Sequence, residues 1–190
     1  MRKMKTKLLV LLSVLVAVGA LMAGPGAAAG TGTTTITGNP GATIGIVVHG
    51  NINNWALDIG TNTDSSNVTL DVTSNQPGWT VKVNDALDGG KPPASVGKMA
   101  NWTTSAWGAS GYLTTALNVG AASVGGHATG SAVDLTGSQQ TIESGNSDAT
   151  GAGTFNGIQI TNIQQVLSSD PALASPNVYR IIVTFTGGLS

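Results

Sequence analysis

The side chains able to move protons or hold ligands are few and scattered along this chain. His49 and His127 are the only groups that titrate near neutral pH. Neither stands in a nucleophile arrangement, and no Gly-x-Ser-x-Gly elbow, His-Glu-x-x-His pair or phosphate-cradling glycine loop occurs. Glycoside hydrolysis needs two carboxylates flanking one bond. Here the acids are a single glutamate, Glu143, and eight aspartates. Of these, Asp58, Asp64, Asp85, Asp88, Asp148 and Asp170 fall at expected strand ends or in loops, where solvated aspartate is ordinary. The residues therefore point away from an enzyme and call for no cofactor. Asp58, Asn62, Asp64 and Asn67 share one loop and offer the oxygen ligands that calcium takes, but their spacing matches no defined calcium loop, and an Asx-rich turn accounts for them equally.

Two further groups concern carbohydrate. Asn67-Val68-Thr69 and Asn101-Trp102-Thr103 are acceptor sequons for N-glycosylation in an exported chain. Trp102 and Trp107 lie in a stretch without clear period. Exposed indoles there would stack on sugar rings, or else cap an open end of the fold.

What must position these residues is set by the start of the chain. Arg2, Lys3, Lys5 and Lys7 precede an unbroken apolar run from Leu8 to Val18; a Gly24-Pro25-Gly26 break and a small-residue tail, Ala27-Ala28-Ala29-Gly30, follow. This pattern predicts a secretory signal helix over residues 1–29, cleaved near Ala29, and it is too short for a stable membrane span, which takes about 20 apolar residues. The expected location is extracellular, at the cell surface. The remaining chain has four basic against nine acidic residues, a net charge of −5, and so lacks the clustered Lys and Arg that nucleic acid requires. With no cysteine, thiol chemistry and disulfide staples are excluded.

Alternation of apolar and polar residues predicts an all-β antiparallel two-sheet sandwich, Ig-like or jelly-roll-like, of about nine short strands over residues 43–190. The clearest signal is Asn67 to Val83. Val68, Leu70 and Val72 share one face, Ser74-Asn75-Gln76-Pro77-Gly78 reads as a turn, and Trp79, Val81 and Val83 resume the apolar phase, which together predict a hairpin. Further strands are expected at Thr43 to His49, Trp55 to Ile59, Tyr112 to Leu117, Ala132 to Leu135, Gln139 to Glu143, Phe155 to Ile163 and Tyr179 to Thr186. Residues 85–110 read as a long excursion from the rim, carrying both Trp102 and Trp107. Residues 30–42 form a flexible segment. Within it Thr33, Thr34, Thr35, Ile36 and Thr37 make a β-branched, Gly-flanked run that is either an ordinary first strand or a strand donated to a neighbour.

The passage Leu70-Asp71-Val72-Thr73-Ser74-Asn75-Gln76-Pro77-Gly78-Trp79-Thr80-Val81 resembles the first signature of WxL-type cell-surface domains: a strand, a Gly-containing turn, then Trp-x-Leu, with Val81 in the third place. The C-terminal Tyr179-Arg180-Ile181-Ile182-Val183-Thr184-Phe185-Thr186-Gly187 resembles the second signature, with Phe185 for its Trp and Gly187 for its Leu. That resemblance implies a module binding cell-wall polysaccharide. The general plan also resembles exported filament subunits of the TasA and archaeal bundling-pilus type, which implies self-association through sheet edges by donor-strand complementation, with Thr33 to Thr37 as the donor. The leading expectation is accordingly a structural or adhesive surface protein that partners itself, with wall polysaccharide as the alternative.

Overall fold

The computed structural model describes residues 37–189, apart from residues 39, 86 and 124–126. The expected signal helix and most of the candidate donor strand, Thr33 to Ile36, lie outside the described residues. Thirteen strands follow in order: β1 (Ile44–His49), β2 (Gly60–Asp64), β3 (Thr69–Ser74), β4 (Thr80–Asp85), β5 (Ala100–Trp102), β6 (Trp107–Tyr112), β7 (Asn118–Ala121), β8 (His127–Thr129), β9 (Val133–Asp134), β10 (Gln140–Gly145), β11 (Gly153–Val166), β12 (Val178–Arg180) and β13 (Val183–Gly188). Every pairing is antiparallel. One sheet runs β1-β3-β11-β7-β9 with β2 added on β11, a second runs β13-β4-β10-β8, and a small third runs β12-β5-β6.

Alternation explains which faces meet. Leu70 and Val72 of β3, Val119 of β7, and Ile158 and Ile160 of β11 join Val81 and Val83 of β4 and Ile142 of β10 in one cluster, each with no exposed surface. Fully burying such a side chain contributes roughly 1.5–3 kcal/mol. Trp79 completes the cluster: its ring centroid lies 5.4 Å from that of Phe155, and its indole N–H donates to the Gly151 carbonyl at 2.7 Å. Without that acceptor a buried indole would leave its donor unsatisfied.

The expected hairpin over Asn67 to Val83 is corrected by the pairing. Its inward faces are as the alternation requires, yet β3 bonds to β1 and β11, whereas β4 bonds to β10 and β13. With both edges of each strand occupied, the turn at Ser74 to Gly78 carries the chain from one sheet to the other. Ser74 Oγ donates to the Gln76 carbonyl at 2.7 Å, and Gly78, at φ 73°, donates its N–H to Asn146 at 2.8 Å. A reversal within one sheet and a crossing between two have the same apolar phase, so sequence alone does not separate them.

Other expected strands shift for related reasons. Trp55 to Ile59 is irregular and the strand begins at Gly60, because Asn62 folds back to hold Asp58 at both its backbone N–H (2.9 Å) and its carbonyl (2.8 Å). Of the strand expected at Tyr112 to Leu117 only Tyr112 lies in a strand, as the last residue of β6, and residues 113–117 separate β6 from β7. Leu113 and Leu117 are buried there without belonging to a strand, so their apolar spacing reported burial alone. Tyr179 to Thr186 is broken at Ile181-Ile182, giving β12 to the small sheet and β13 to the second. The excursion at 85–110 is ordered, with two short 3-10 turns at Asp88–Gly90 and Pro93–Ser95 leading into the β5–β6 pair. A three-residue β5, whose register against β6 slips between Ala100 and Trp102, is too short to show a period. In β11 the register slips between Phe155 and Ile158, where Gly157 takes φ 69° and donates its N–H to Asp71 at 2.7 Å. Beyond this bulge the strand passes from β3 to β2.

Candidate functional site

Among the described residues four strands of five or six residues pair along one side only: β1, β2, β6 and β13. Of these, β1 bonds only to β3 and β13 only to β4. Their registers run both strands along the same side of the core. Near one end they touch: a Cβ on Gly187 would stand 3.1 Å from Ile44 Cδ1 and 3.2 Å from Ile46 Cγ2. At the other end, beyond Val48 and Val183, a groove of about 1140 Å³ opens. Its lining includes Val48, Trp55, Val68, Leu117, Val183 and Phe185. Three large apolar side chains that face solvent, Ile59 (73% exposed), Val178 (51%) and Val48 (42%), line it as well. The opposite rims end on β8 and β9, of three and two residues, too short to template a strand.

The groove is electrically quiet. Its only charged lining residues are Asp170 and Arg180, and both are engaged. Asp170 accepts from the Thr114 N–H (2.8 Å) and hydroxyl (2.6 Å) and from the Leu167 N–H (2.8 Å). Burial pushes this carboxyl up, but the bonds from Thr114 and Leu167 outweigh it and hold the group below the usual carboxylate range. The Arg180 guanidinium lies over the Trp102 ring at 4.2 Å. At the floor stands Asn162, 4% exposed, whose Nδ2 has no hydrogen-bond partner. Its strand neighbour Gln164 is fully buried and directs Nε2 to the Thr115 hydroxyl at 2.8 Å and the Gln165 carbonyl at 2.9 Å. Ile158, Ile160, Asn162 and Gln164 share one phase of β11. Two amides continuing an apolar face inward were the available signal for this floor; the expected strand Phe155 to Ile163 took in Asn162 and stopped short of Gln164.

The candidate sugar-binding indoles are brought together. Trp102 and Trp107 oppose each other across β5 and β6, with ring centroids 5.2 Å apart at 75°. Both are half-buried, and Arg180 from β12 covers the Trp102 face while Lys91 Nζ lies 5.6 Å from the Trp107 centroid. The pair is thus the packed centre of the small sheet. Beside it lies a feature with no signal in the sequence, a buried ion pair between Asp85 (1% exposed) and Lys91 (4%). The same carboxylate accepts from the Gly97 N–H at 2.8 Å, and Lys91 Nζ also donates to the Lys98 carbonyl at 2.8 Å. Burial pushes the Lys91 ammonium below the usual lysine range, against the pull of Asp85. This pair closes residues 85–98 onto the end of β4.

The remaining candidates are dispersed. Asn62 is committed to the Asp58 turn, and Asp64 accepts from the Asn67 backbone N–H at 3.2 Å and from its side-chain amide. In the sequon at Asn101, Nδ2 donates to Ser110 at 3.3 Å and lies against Gly108, so the amide faces the neighbouring strand; Asn67 is exposed. His49 Nε2 meets Asp71 Oδ2 at 2.8 Å on the exposed end of β1. Glu143 is buried in β10. Thr37 is exposed and lies in no strand. No helix among the described residues is long and apolar enough to cross a membrane. Compared with known protein families, curated proteins and solved structures, the chain matches none.

Proposed function

We propose that this chain is an exported structural subunit that assembles at the cell surface by strand addition, residues 33–37 of one copy pairing with the free edge of β13 in the next. In this reading the two larger sheets are the layers of an Ig-like sandwich, open on the β1/β13 side. The observation that carries it is the groove of about 1140 Å³ beside the ends of those strands, whose lining mixes apolar with uncharged polar side chains and holds two charged residues. The edge of β13 is the better acceptor because Val183 and Phe185 line the groove together with Ile181 and Ile182, whereas β1 contributes only Val48. An added strand would satisfy main-chain groups that otherwise face solvent and would cover the exposed Val48, Ile59 and Val178. Such a function uses backbone amides and apolar surface, in keeping with the dispersal of the acids and histidines.

Deleting Gly30 to Gly38 from the secreted chain tests the reading. Electron microscopy and size-exclusion chromatography should show polymers for the intact chain and monomers for the deletion. Identical assemblies from both, or monomers from both, contradict it.

A further inference from the structure

We infer that the exported chain carries an N-linked glycan on Asn67 and none on Asn101, the second sequon. This rests on export and is independent of strand addition. Both triplets, Asn67-Val68-Thr69 and Asn101-Trp102-Thr103, satisfy the acceptor pattern. The fold separates them.

Asn67 is exposed and lies in the short link between the end of β2 at Asp64 and the start of β3 at Thr69. Its backbone is held from the inner side: a Cβ on Gly50 would stand 2.0 Å from the Asn67 carbonyl oxygen, and the Asn67 N–H donates to Asp64 Oδ1 at 3.2 Å. The side-chain amide donates to Asp64 Oδ2, also at the surface. Transfer from a lipid-phosphate-linked oligosaccharide breaks one Nδ2–H bond and forms a bond from Nδ2 to the anomeric carbon of the sugar. The lipid phosphate leaves, and the proton passes to solvent. An amide nitrogen has two hydrogens, so the second still serves Asp64. The sugar then stands at the surface beside the end of β1, because Gly50 directly follows His49.

Asn101 sits in β5, the central strand of the small sheet. Its Oδ1 is buried without a hydrogen-bond partner, and Nδ2 lies against β6: it donates to the Ser110 carbonyl at 3.3 Å, and a Cβ on Gly108 would stand 2.6 Å from it. A sugar on this nitrogen needs the space that β6 fills. Parting the two strands would also break the contact of Trp102 with Trp107, whose ring centroids are 5.2 Å apart. A transferase meeting the folded chain therefore finds Asn101 covered, and a chain modified there before folding is unable to close β5 onto β6.

The test uses the full chain recovered from the surface of the cells that encode it. Intact mass and peptide mapping should show one glycan per chain, on Asn67, lost in Asn67→Gln and kept in Asn101→Gln. Thr69→Ala leaves Asn67 in place but removes the acceptor hydroxyl and should also abolish the glycan, while Thr69→Ser should keep it. An exported chain bare at Asn67, or folded chains modified at Asn101, overturn the inference while export stands. A chain retained inside the cell with residues 1–29 still attached removes export and this inference together. Strand addition is decided separately, by deletion of Gly30 to Gly38.

Discussion

Replacing Asp85 by Asn separates a buried ion pair from an ordinary polar contact. Asp85 and Lys91 are 1% and 4% exposed, and the ammonium has as further partners only the Lys98 carbonyl at 2.8 Å and the Trp107 ring, 5.6 Å from its centroid. Asn keeps the volume and an acceptor for the Gly97 N–H but leaves Lys91 as an uncompensated buried charge. The cost of breaking such a pair is about 3–5 kcal/mol, which for a domain of this size lowers Tm by roughly 6–20 °C. The pH dependence identifies the cause. Burial already pulls Lys91 below 10.5 in the folded chain, and Asp85 opposes that pull. Without the carboxylate the folded-state value drops further, so in the window between it and 10.5 the unfolded chain binds more protons than the folded one. Stability of Asp85→Asn should therefore rise as pH is raised towards 10.5, more steeply than that of wild type. Thermal melts followed by circular dichroism between pH 7 and 10 measure this. The doubly apolar Asp85→Leu/Lys91→Met chain should be nearly as stable as wild type or more so. A loss under about 1 kcal/mol with no pH dependence would refute the reasoning.

Three other outcomes follow from the packing and charge. Gly145→Ala would set a Cβ 2.3 Å from Trp79 Nε1 and should cost about 1–3 kcal/mol in urea unfolding, whereas Gly137→Ala, 3.5 Å from Val96 Cγ1, should be near neutral. Asp71 is held below the usual carboxylate range first by the Gly157 N–H and then by His49, and Asp170 is also lowered. Their contribution is present above the ordinary value of 3.8 and lost as pH falls through the lower folded values, so NMR titration should give both carboxyls midpoints under 3.8. Trp102→Ala should cost about 1–3 kcal/mol through the Trp107 and Arg180 contacts, and a double-mutant cycle with Arg180→Ala should return a coupling of about 0.5–1 kcal/mol.

The inward faces of the long strands were legible in the sequence because a period of two needs only that one side be buried. Leu70, Val72, Trp79, Val81 and Val83 are all fully buried, as their phase required. Pairing was not legible, since Ser74 to Gly78 turns the chain whether it stays in one sheet or changes sheets. Leu113 and Leu117 show the reverse error, being buried outside any strand. Asp85 sat at a strand end and read as a solvated loop residue, because its partner Lys91 lies in a segment without periodicity. Trp102 and Trp107 were recognisable as a pair of interest, but Arg180, which covers one of them, approaches from a strand far along the chain. The groove is a property of which edges remain unpaired, and no local pattern encodes that.

Because the chain has no cysteine, introduced thiols report the central contact without background. Secreted Thr35→Cys chains mixed with Thr184→Cys chains under mild oxidation should give disulfide-linked pairs containing one of each, placing the segment of one copy beside β13 of another. Absence of such pairs, or a linkage formed only within single chains carrying both substitutions, would contradict strand addition between copies.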